Sequence, residues 1–278
     1  MPPDRLLANL LDDLLHTPPP DFLSLCVAGG VIGHVAPCFA ERVSALAPEL
    51  FQEDGPRLRL AADVRGDALT RCWAAVVARL REEGWFAAWR GELYDVWLDG
   101  GVGIAENSAN TVDTEAGGVP LCQLERGVFR RFGLRSRAVH LNAVTPDGRM
   151  WIARRAASKA IDPGRLDNLV GGGVGSGESP QATLLRECSE EAGIPPDLAA
   201  RARHQARLHA CRPETEGLHD EWLDVFELVV PDHFRPVNRD GEVAEFMLMA
   251  HAEVCERILA GDFTVDAAAV AAWHLLER

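Results

Sequence analysis

The chain has 278 residues, 42 acidic against 28 basic side chains and a net charge of −14. A charge of that sign excludes a general binder of nucleic acid or of anionic membrane surfaces, because phosphate backbones and acidic lipids call for a basic footprint. Hydrophobic residues at 47% and charged ones at 25% are values of a folded globular chain, long enough for two compact parts. The basic set contains a single lysine, Lys159.

Seven cysteines, an odd number at wide spacing with no C-x-x-C, point to free thiols in a reducing cytosol rather than a disulfide framework or zinc ribbon. The first sixteen residues carry Asp4, Asp12 and Asp13 and lack the basic start of a signal peptide, so a cytoplasmic location is expected.

Leu6, Leu7, Leu10, Leu11, Leu14 and Leu15 recur at helical spacing and predict an amphipathic first helix ended by Pro18 to Pro20. Residues 22–40 hold no Asp, Glu, Lys or Arg. Gly29, Gly30, Gly33 and Pro37 make that run two short strands around a Gly-Gly turn rather than a membrane span. Helices are predicted over 39–51 and 67–83, the latter with Cys72, Val76, Val77 and Leu80 on one face. An extended aromatic-rich stretch over 86–97 and an exposed loop over 107–118 follow.

From residue 138 the character changes. Strands are predicted over 138–144 and 150–154 around Pro146-Asp147-Gly148. A glycine-rich loop, a helix over 180–192, strands over 222–230 and 245–250 and a mostly helical tail complete the chain. The expected division is 1–132 and 133–278.

The chemistry is concentrated in 172–194, GGVGSGESPQATLLRECSEEAGI. Ser179 suits a helix cap, Pro180 the first helical position and Gly193 the end. Glu187, Glu190 and Glu191 then fall at i, i+3 and i+4 on one face. Like charges at that spacing cost roughly 0.2–0.5 kcal/mol per pair, and the negative end of the helix dipole adds to the cost. A solvated acidic face tolerates this; a bound cation reverses it, and clustered hard oxygen ligands suit Mg2+ or Mn2+.

The segment resembles the Nudix box, G-x5-E-x7-R-E-U-x-E-E-x-G-U, at Gly172, Glu178, Arg186, Glu187, Glu190, Glu191 and Gly193, with Cys188 and Ile194 at the apolar places. Further stretches at 86–94 (FAAWRGELY), 124–132 (LERGVFRRF), 139–142 (VHLN), 151–159 (WIARRAASK), 163–173 (PGRLDNLVGGG), 228–236 (LVVPDHFRP) and 240–246 (DGEVAEF) are similar to one Nudix subfamily. That subfamily is related to the Nudix part of fungal thiamine pyrophosphokinase fusions and has its own N-terminal domain.

The resemblance implies a fold and an activity. The fold is α/β: a Nudix α/β/α sandwich preceded by a smaller α+β domain that shapes substrate selectivity. The activity is metal-dependent hydrolysis of thiamine diphosphate, or its oxo and oxy derivatives, to the monophosphate and phosphate. It also implies metal ligands at Glu187, Glu190, Glu191 and the Gly172 carbonyl, with one ligand glutamate as base. Glu178 and Arg186 are expected to pair and orient the loop. Glu242 or Glu245 is a candidate distal acid, each equally readable as solvated surface. Arg154, Arg155 and Lys159 are candidates for the phosphates, and Asp167, Trp89 and Arg90, inside the matching stretches, for other substrate contacts. Trp85, Trp89 and Trp97 are first of all core aromatics, and His140 a hydrogen-bonded core histidine.

One departure bears on substrate. The subfamily carries tyrosines after the box helix, where this chain reads LHACRPETEGLHD over 208–220, and its one tyrosine is Tyr94. A nucleoside diphosphate derivative such as ADP-ribose or NADH is the alternative substrate, and a non-catalytic ligand-sensing module the alternative class. Nudix relatives are often homodimers.

Overall fold

A computed structural model of the chain describes residues 2–14, 16–28, 30–61, 65–98 and 120–277. Leu15, Gly29 and the loop expected over 107–118 lie outside the described residues.

Helix α1 spans Pro3–Asp12. The uncharged run becomes a hairpin of β1 (Leu23–Val27) and β2 (Gly30–Val35), as its glycines predict. Helix α2 covers Pro37–Leu46. It stops five residues short of the expected end because Pro48 pushes Ala47 out of helical geometry, to φ −144°. Phe51 then opens a hairpin that the sequence did not announce, β3 (Phe51–Asp54) and β4 (Arg57–Leu60), turned at Gly55 with φ +58°. The four strands form one sheet in the order β2-β1-β4-β3.

Helix α3 (Asp67–Glu82) covers this sheet with Leu69, Trp73, Val76, Val77 and Leu80. Cys72 does not join that face; it is exposed at the stripe's rim while Trp73 takes the centre. Next come the paired strands β5 (Leu93–Val96) and β6 (Cys122–Glu125) and the single turn α4 (Phe129–Phe132). Phe132 completes an aromatic core with Phe39 at 5.0 Å and Trp73 at 5.1 Å between ring centroids. Burying each such ring is worth about 1.5–3 kcal/mol. Gly133 follows at φ +55°, and any side chain there would overlap the His34 backbone, so the join between the halves is tight.

The second half is a sandwich around β7 (Arg135–Val144), β8 (Met150–Arg155), β9 (Leu166–Asn168), β10 (Val170–Gly173), β11 (Arg203–Glu214), β12 (Gly217–Val229) and β13 (Val243–Met249). The sheet runs β11-β12-β7-β8-β13, with β10 on β7 and β9 on β8. Strand β12 pairs parallel to β7, and the other named pairs are antiparallel. The sequence pattern predicts neither strand β11 nor the first five residues of β12.

Alternation along β7 sorts the faces. Val139, Leu141 and Ala143 pack with Leu184 and Cys188 of α5 (Pro180–Glu191), beyond which lies the short α6 (Pro196–Ala199). Ala138 and Val144 face the other way, toward α7 (His251–Leu259) and the alanine-rich α8 (Val265–Leu276). The architecture is thus α/β/α, preceded by an α+β part.

Helix α1 breaks the simple division by sequence. Leu7 belongs to the same cluster as Val254, Ile258 and Ala271, so the first helix packs on the outer layer of the second half. The backbone ties it there too: Cys211 N–H donates to Leu14 O at 3.0 Å and His16 N–H to Cys211 O at 2.7 Å. Among the described residues no helix is long and apolar enough to cross a membrane.

Candidate active site

Helix α5 begins as its sequence dictates. The Ser179 hydroxyl accepts from Ala182 N–H at 3.2 Å, and Pro180 occupies the first turn. At the other end Gly193 has φ +60°, and a side chain there would press on the Val237 carbonyl. The segment after Pro236 lies along this helix end, with Arg239 N–H donating to Glu190 O at 3.0 Å.

The three glutamates grade from inside to outside. Side-chain exposure is 14% for Glu187 and 49% for Glu190, while Glu191 is buried. The Glu187 carboxylate lies directly over Gly172, where any Cβ would have to displace it. Glu191 accepts from Gly171 N–H at 2.9 Å. Burial, and then the Glu187 charge, hold the Glu191 carboxyl well above the ordinary carboxylate range, with the Gly171 bond opposing. Burial raises Glu187 as well, against the pull of Arg186.

Arg186 organises the outer edge. Its guanidinium grips Glu178 by two bonds of 3.0 Å and reaches Glu187 at 2.8 Å and Glu190 at 3.2 Å. Thr183 donates to Glu178 at 2.8 Å, and Glu178 is held below its ordinary value first of all by Arg186. Glu178 therefore faces the arginine and the helix start.

A small pocket beside Glu191 is lined by Arg155, Lys159, Asp167, Asn168 and Glu242. Lys159 forms an ion pair with Glu242, whose carbonyl accepts from Ala156 N–H at 2.8 Å. Arg155 pairs with Asp167 at 2.7 Å. Carboxylate oxygens of Glu191, Asp240 and Glu242 lie within 4.8 Å of one another. Beneath the pocket runs a buried chain: His140 Nδ1 is 2.9 Å from Asn168 Oδ1, Asn168 Nδ2 donates to Asn142 at 3.0 Å, and Asn142 Nδ2 to Val270 O at 3.2 Å.

The two candidates for a distal acid separate here. Glu242 lines the pocket; Glu245 is exposed and sits 3.3 Å from Arg154, and neither of these two lines it. Trp89 is exposed under the Arg81 guanidinium at 4.1 Å, and Trp85 packs on Phe39 at 5.2 Å in the first-half core. The Arg90 backbone N–H donates to Glu125 at 2.8 Å, and its charge helps hold Glu242 down, behind Lys159 and Arg126.

Asp95, Asp240 and Asn168 were missed by sequence reasoning. Asp240 carried a signal, being next to Gly241 in the turn that presents Glu242. Asp95 carried none, because its partners lie some eighty positions away: it accepts from Ser176 Oγ at 2.7 Å and Gly177 N–H at 3.1 Å. Ser176 N–H also donates to Leu93 O at 2.7 Å. The hairpin of the first half thus clasps the glycine loop of the second.

The NUDIX domain model matches residues 134–273, half of the chain, and takes in the whole glutamate helix and both pocket walls. The chain belongs to the Nudix family. It is similar to Nudix hydrolase 24, chloroplastic, of Arabidopsis thaliana, 35% identical over 158 residues, covering 56% of this chain and 43% of that protein. It is similar to Nudix hydrolase 20, chloroplastic, of the same plant, 34% identical over 192 residues, covering 68% of this chain and 47% of that protein. The chain thus spans under half the length of these two Nudix relatives. A solved Deinococcus radiodurans structure, DR0079, aligns at 25% identity and TM-score 0.38, over 46% of this chain and 75% of that one.

The Nudix helix carries a donor set of hard oxygens. Glu187, Glu190 and Glu191, with Asp240 and Glu242 opposite, gather carboxylates in part-buried surroundings where like charges repel. This set fits a divalent cation of the Mg2+ or Mn2+ type and, having no thiolate or imidazole among these five residues, does not select a soft metal.

Proposed function

We propose that the protein is a divalent-metal-dependent hydrolase of a diphosphate linkage, acting on thiamine diphosphate or its oxo and oxy derivatives to give the monophosphate and phosphate. The observation that carries the reaction class is the convergence of the glutamate helix and the Asp240–Glu242 turn on one pocket that also holds Arg155 and Lys159.

Glu187, Glu190 and Glu191 would hold the metal with the Gly172 carbonyl. A Mg2+ or Mn2+ ion held there would supply charge to offset the diphosphate and would lower the pKa of an attacking water. Arg155 and Lys159 orient the phosphate oxygens, and Asp167 and Glu242 keep those two cations in place. One of the three helix glutamates takes the proton of the water. Arg186 and Glu178 fix the glycine loop, so the first ligand stands ready before substrate arrives.

The substrate reading is supported by the resemblance of both halves to the thiamine-related subfamily. The 192-residue alignment with Nudix hydrolase 20 is also longer than the domain match, so it reaches sequence outside 134–273. Residues 1–132 act as the selectivity part, through the β5–β6 hairpin and Arg90. All seven cysteines are free thiols, in keeping with a reducing, cytosolic setting. A homodimer belongs to this reading and is checked by light scattering.

The test is phosphate release from thiamine diphosphate, its oxo and oxy forms, ADP-ribose and NADH, with and without Mg2+. Turnover of the nucleotides alone sinks the thiamine assignment. No metal-dependent turnover of any of them sinks the hydrolase and leaves a sensing module.

A further inference from the structure

A second polar cluster lies away from the glutamate helix, where β12 begins and α8 starts. His219 and Glu221 are two apart on β12 and so share a face. Asp266 stands in the first turn of α8, which covers that face. His219 is 5% exposed. Its Nε2 lies 3.3 Å from Asp266 Oδ2 and 3.7 Å from Glu221 Oε2, in ion-pair reach of both but without the geometry of a well-formed hydrogen bond to either. One donor atom from each of the three residues falls within 4.8 Å of the others.

We propose that His219, Glu221 and Asp266 bind a divalent metal ion of the zinc class, separate from any cation of the diphosphate site. Bonds of about 2.0–2.2 Å in a tetrahedral arrangement put neighbouring ligand atoms roughly 3.3–3.6 Å apart, close to the spacings around His219. At 3.3 Å the Asp266 contact is longer than the roughly 2.9–3.0 Å of a typical N–H···O bond. One imidazole with two carboxylates suits Zn2+; Mg2+ prefers oxygen ligands and keeps its waters.

The surrounding groups orient the ligands as outer partners of a metal site do. Arg212 donates to both Asp266 oxygens, at 2.6 and 3.2 Å, and Ser136 Oγ donates to Glu221 at 2.7 Å. Arg212 shares its charge with Glu214 at 3.2 Å, so the two ligand carboxylates are not neutralised by it alone. Three protein ligands leave a fourth position for water. An ion here joins the start of β12 to α8, the helix on which α1 packs, and so works as a clamp between sheet and outer layer.

The experiment measures zinc retained by the purified full chain after chelator stripping, exposure to Zn2+ and desalting. Wild type and Glu191→Gln are expected to keep one equivalent, and His219→Ala to lose it together with a zinc-dependent rise in melting temperature. Failure of wild type to retain zinc overturns the site, as does retention by His219→Ala with loss in Glu191→Gln. Should His219→Ala fail to fold, X-ray absorption at the zinc edge of wild type decides: an imidazole nitrogen in the shell is expected, and an all-oxygen shell overturns it.

Discussion

The Ser176 hydroxyl, in the loop that leads to the glutamate helix, donates to Asp95 of β5 at 2.7 Å. Gln123 of β6 donates to the same Ser176 oxygen at 2.5 Å, and Asp95 also takes the Gly177 N–H. Two strands of the first half therefore hold the loop that places Glu178 and, through Arg186, Glu187. Displacing a positioned group by about 1 Å can cost roughly 100-fold in rate. Asp95→Ala is expected to lower kcat/KM by about 10- to 100-fold while the melting temperature moves little, since the surface around Asp95 is part-exposed. Steady-state kinetics beside thermal unfolding check it; a kcat/KM within twofold of wild type would show that the clasp does not serve the site.

The box glutamates differ in burial, and their substitutions should differ accordingly. Glu191→Gln keeps the volume but offers the part-buried Gly171 N–H a weaker acceptor and removes one charge from the proposed metal site. A metal's charge stabilisation is worth several kcal/mol, and each 1.36 kcal/mol is tenfold in rate, so a loss of about 100- to 1000-fold in kcat is expected. Glu178→Gln, which weakens only the Arg186 grip, should lose less, about tenfold. Mg2+ titrations of kcat separate the two: a raised metal requirement for Glu191→Gln and a near-normal one for Glu178→Gln.

What was legible in the sequence followed from local rules. Ser179, Pro180 and Gly193 fixed both ends of α5, and i, i+3, i+4 spacing put three carboxylates on one face. The uncharged stretch around Gly30 read correctly as a hairpin. The misses were non-local. Strand β11 does alternate, with Ala206, Leu208 and Ala210 packed inward between Arg207 and His209, but two of those three inward residues are alanine, and its polar face is matched by Asp224 and Asp220 of β12 through bonds that no local pattern shows. Helix α1 reads as amphipathic, but nothing in its spacing says that its partner is α8, some 260 positions away. Glu242 and Glu245 were equal on paper; the turn at Asp240–Gly241 directs one into the pocket and leaves the other to Arg154.

Tyr94 and Gly173 test how closely the first half is fitted to the glycine strand. The tyrosine hydroxyl is buried without a hydrogen-bond partner and lies where a Cβ on Gly173 would stand. Burial pushes its pKa above the ordinary tyrosine value, so it stays a neutral phenol at any physiological pH. Gly173→Ala is expected to destabilise by about 1–3 kcal/mol through overpacking. Tyr94→Phe, which removes an unpaired buried hydroxyl, should be neutral or stabilising by up to about 1 kcal/mol. In the double variant part of the Gly173→Ala cost should return, giving a coupling of at least about 0.5 kcal/mol in a urea-unfolding cycle. Strict additivity would mean the two groups do not meet.

The β11–β12–β7 ladder predicts how the protein responds to acid. Asp224 is fully buried and accepts from Arg137, from Arg207 at 3.1 Å and from His204 Nε2 at 2.8 Å. Burial alone would raise its pKa, but these partners together hold the folded-state value below the ordinary 3.8. The unfolded chain therefore takes up this proton first as pH falls. The stabilisation from Asp224 is complete above about pH 4–5 and is lost as pH drops from there toward the lower folded-state value. Asp224→Asn removes it at every pH and strands two arginines around a neutral amide. Both arginines keep some contact with solvent, so the cost should sit at the low end of the range for a broken buried pair, about 3 kcal/mol. Urea midpoints measured from pH 7 to pH 3 should therefore lie lower for Asp224→Asn at neutral pH and converge toward wild type at the acid end. Parallel curves across that range would place the acid sensitivity in another group, with Asp220 and Asp266, whose values are also held low, as the next to replace.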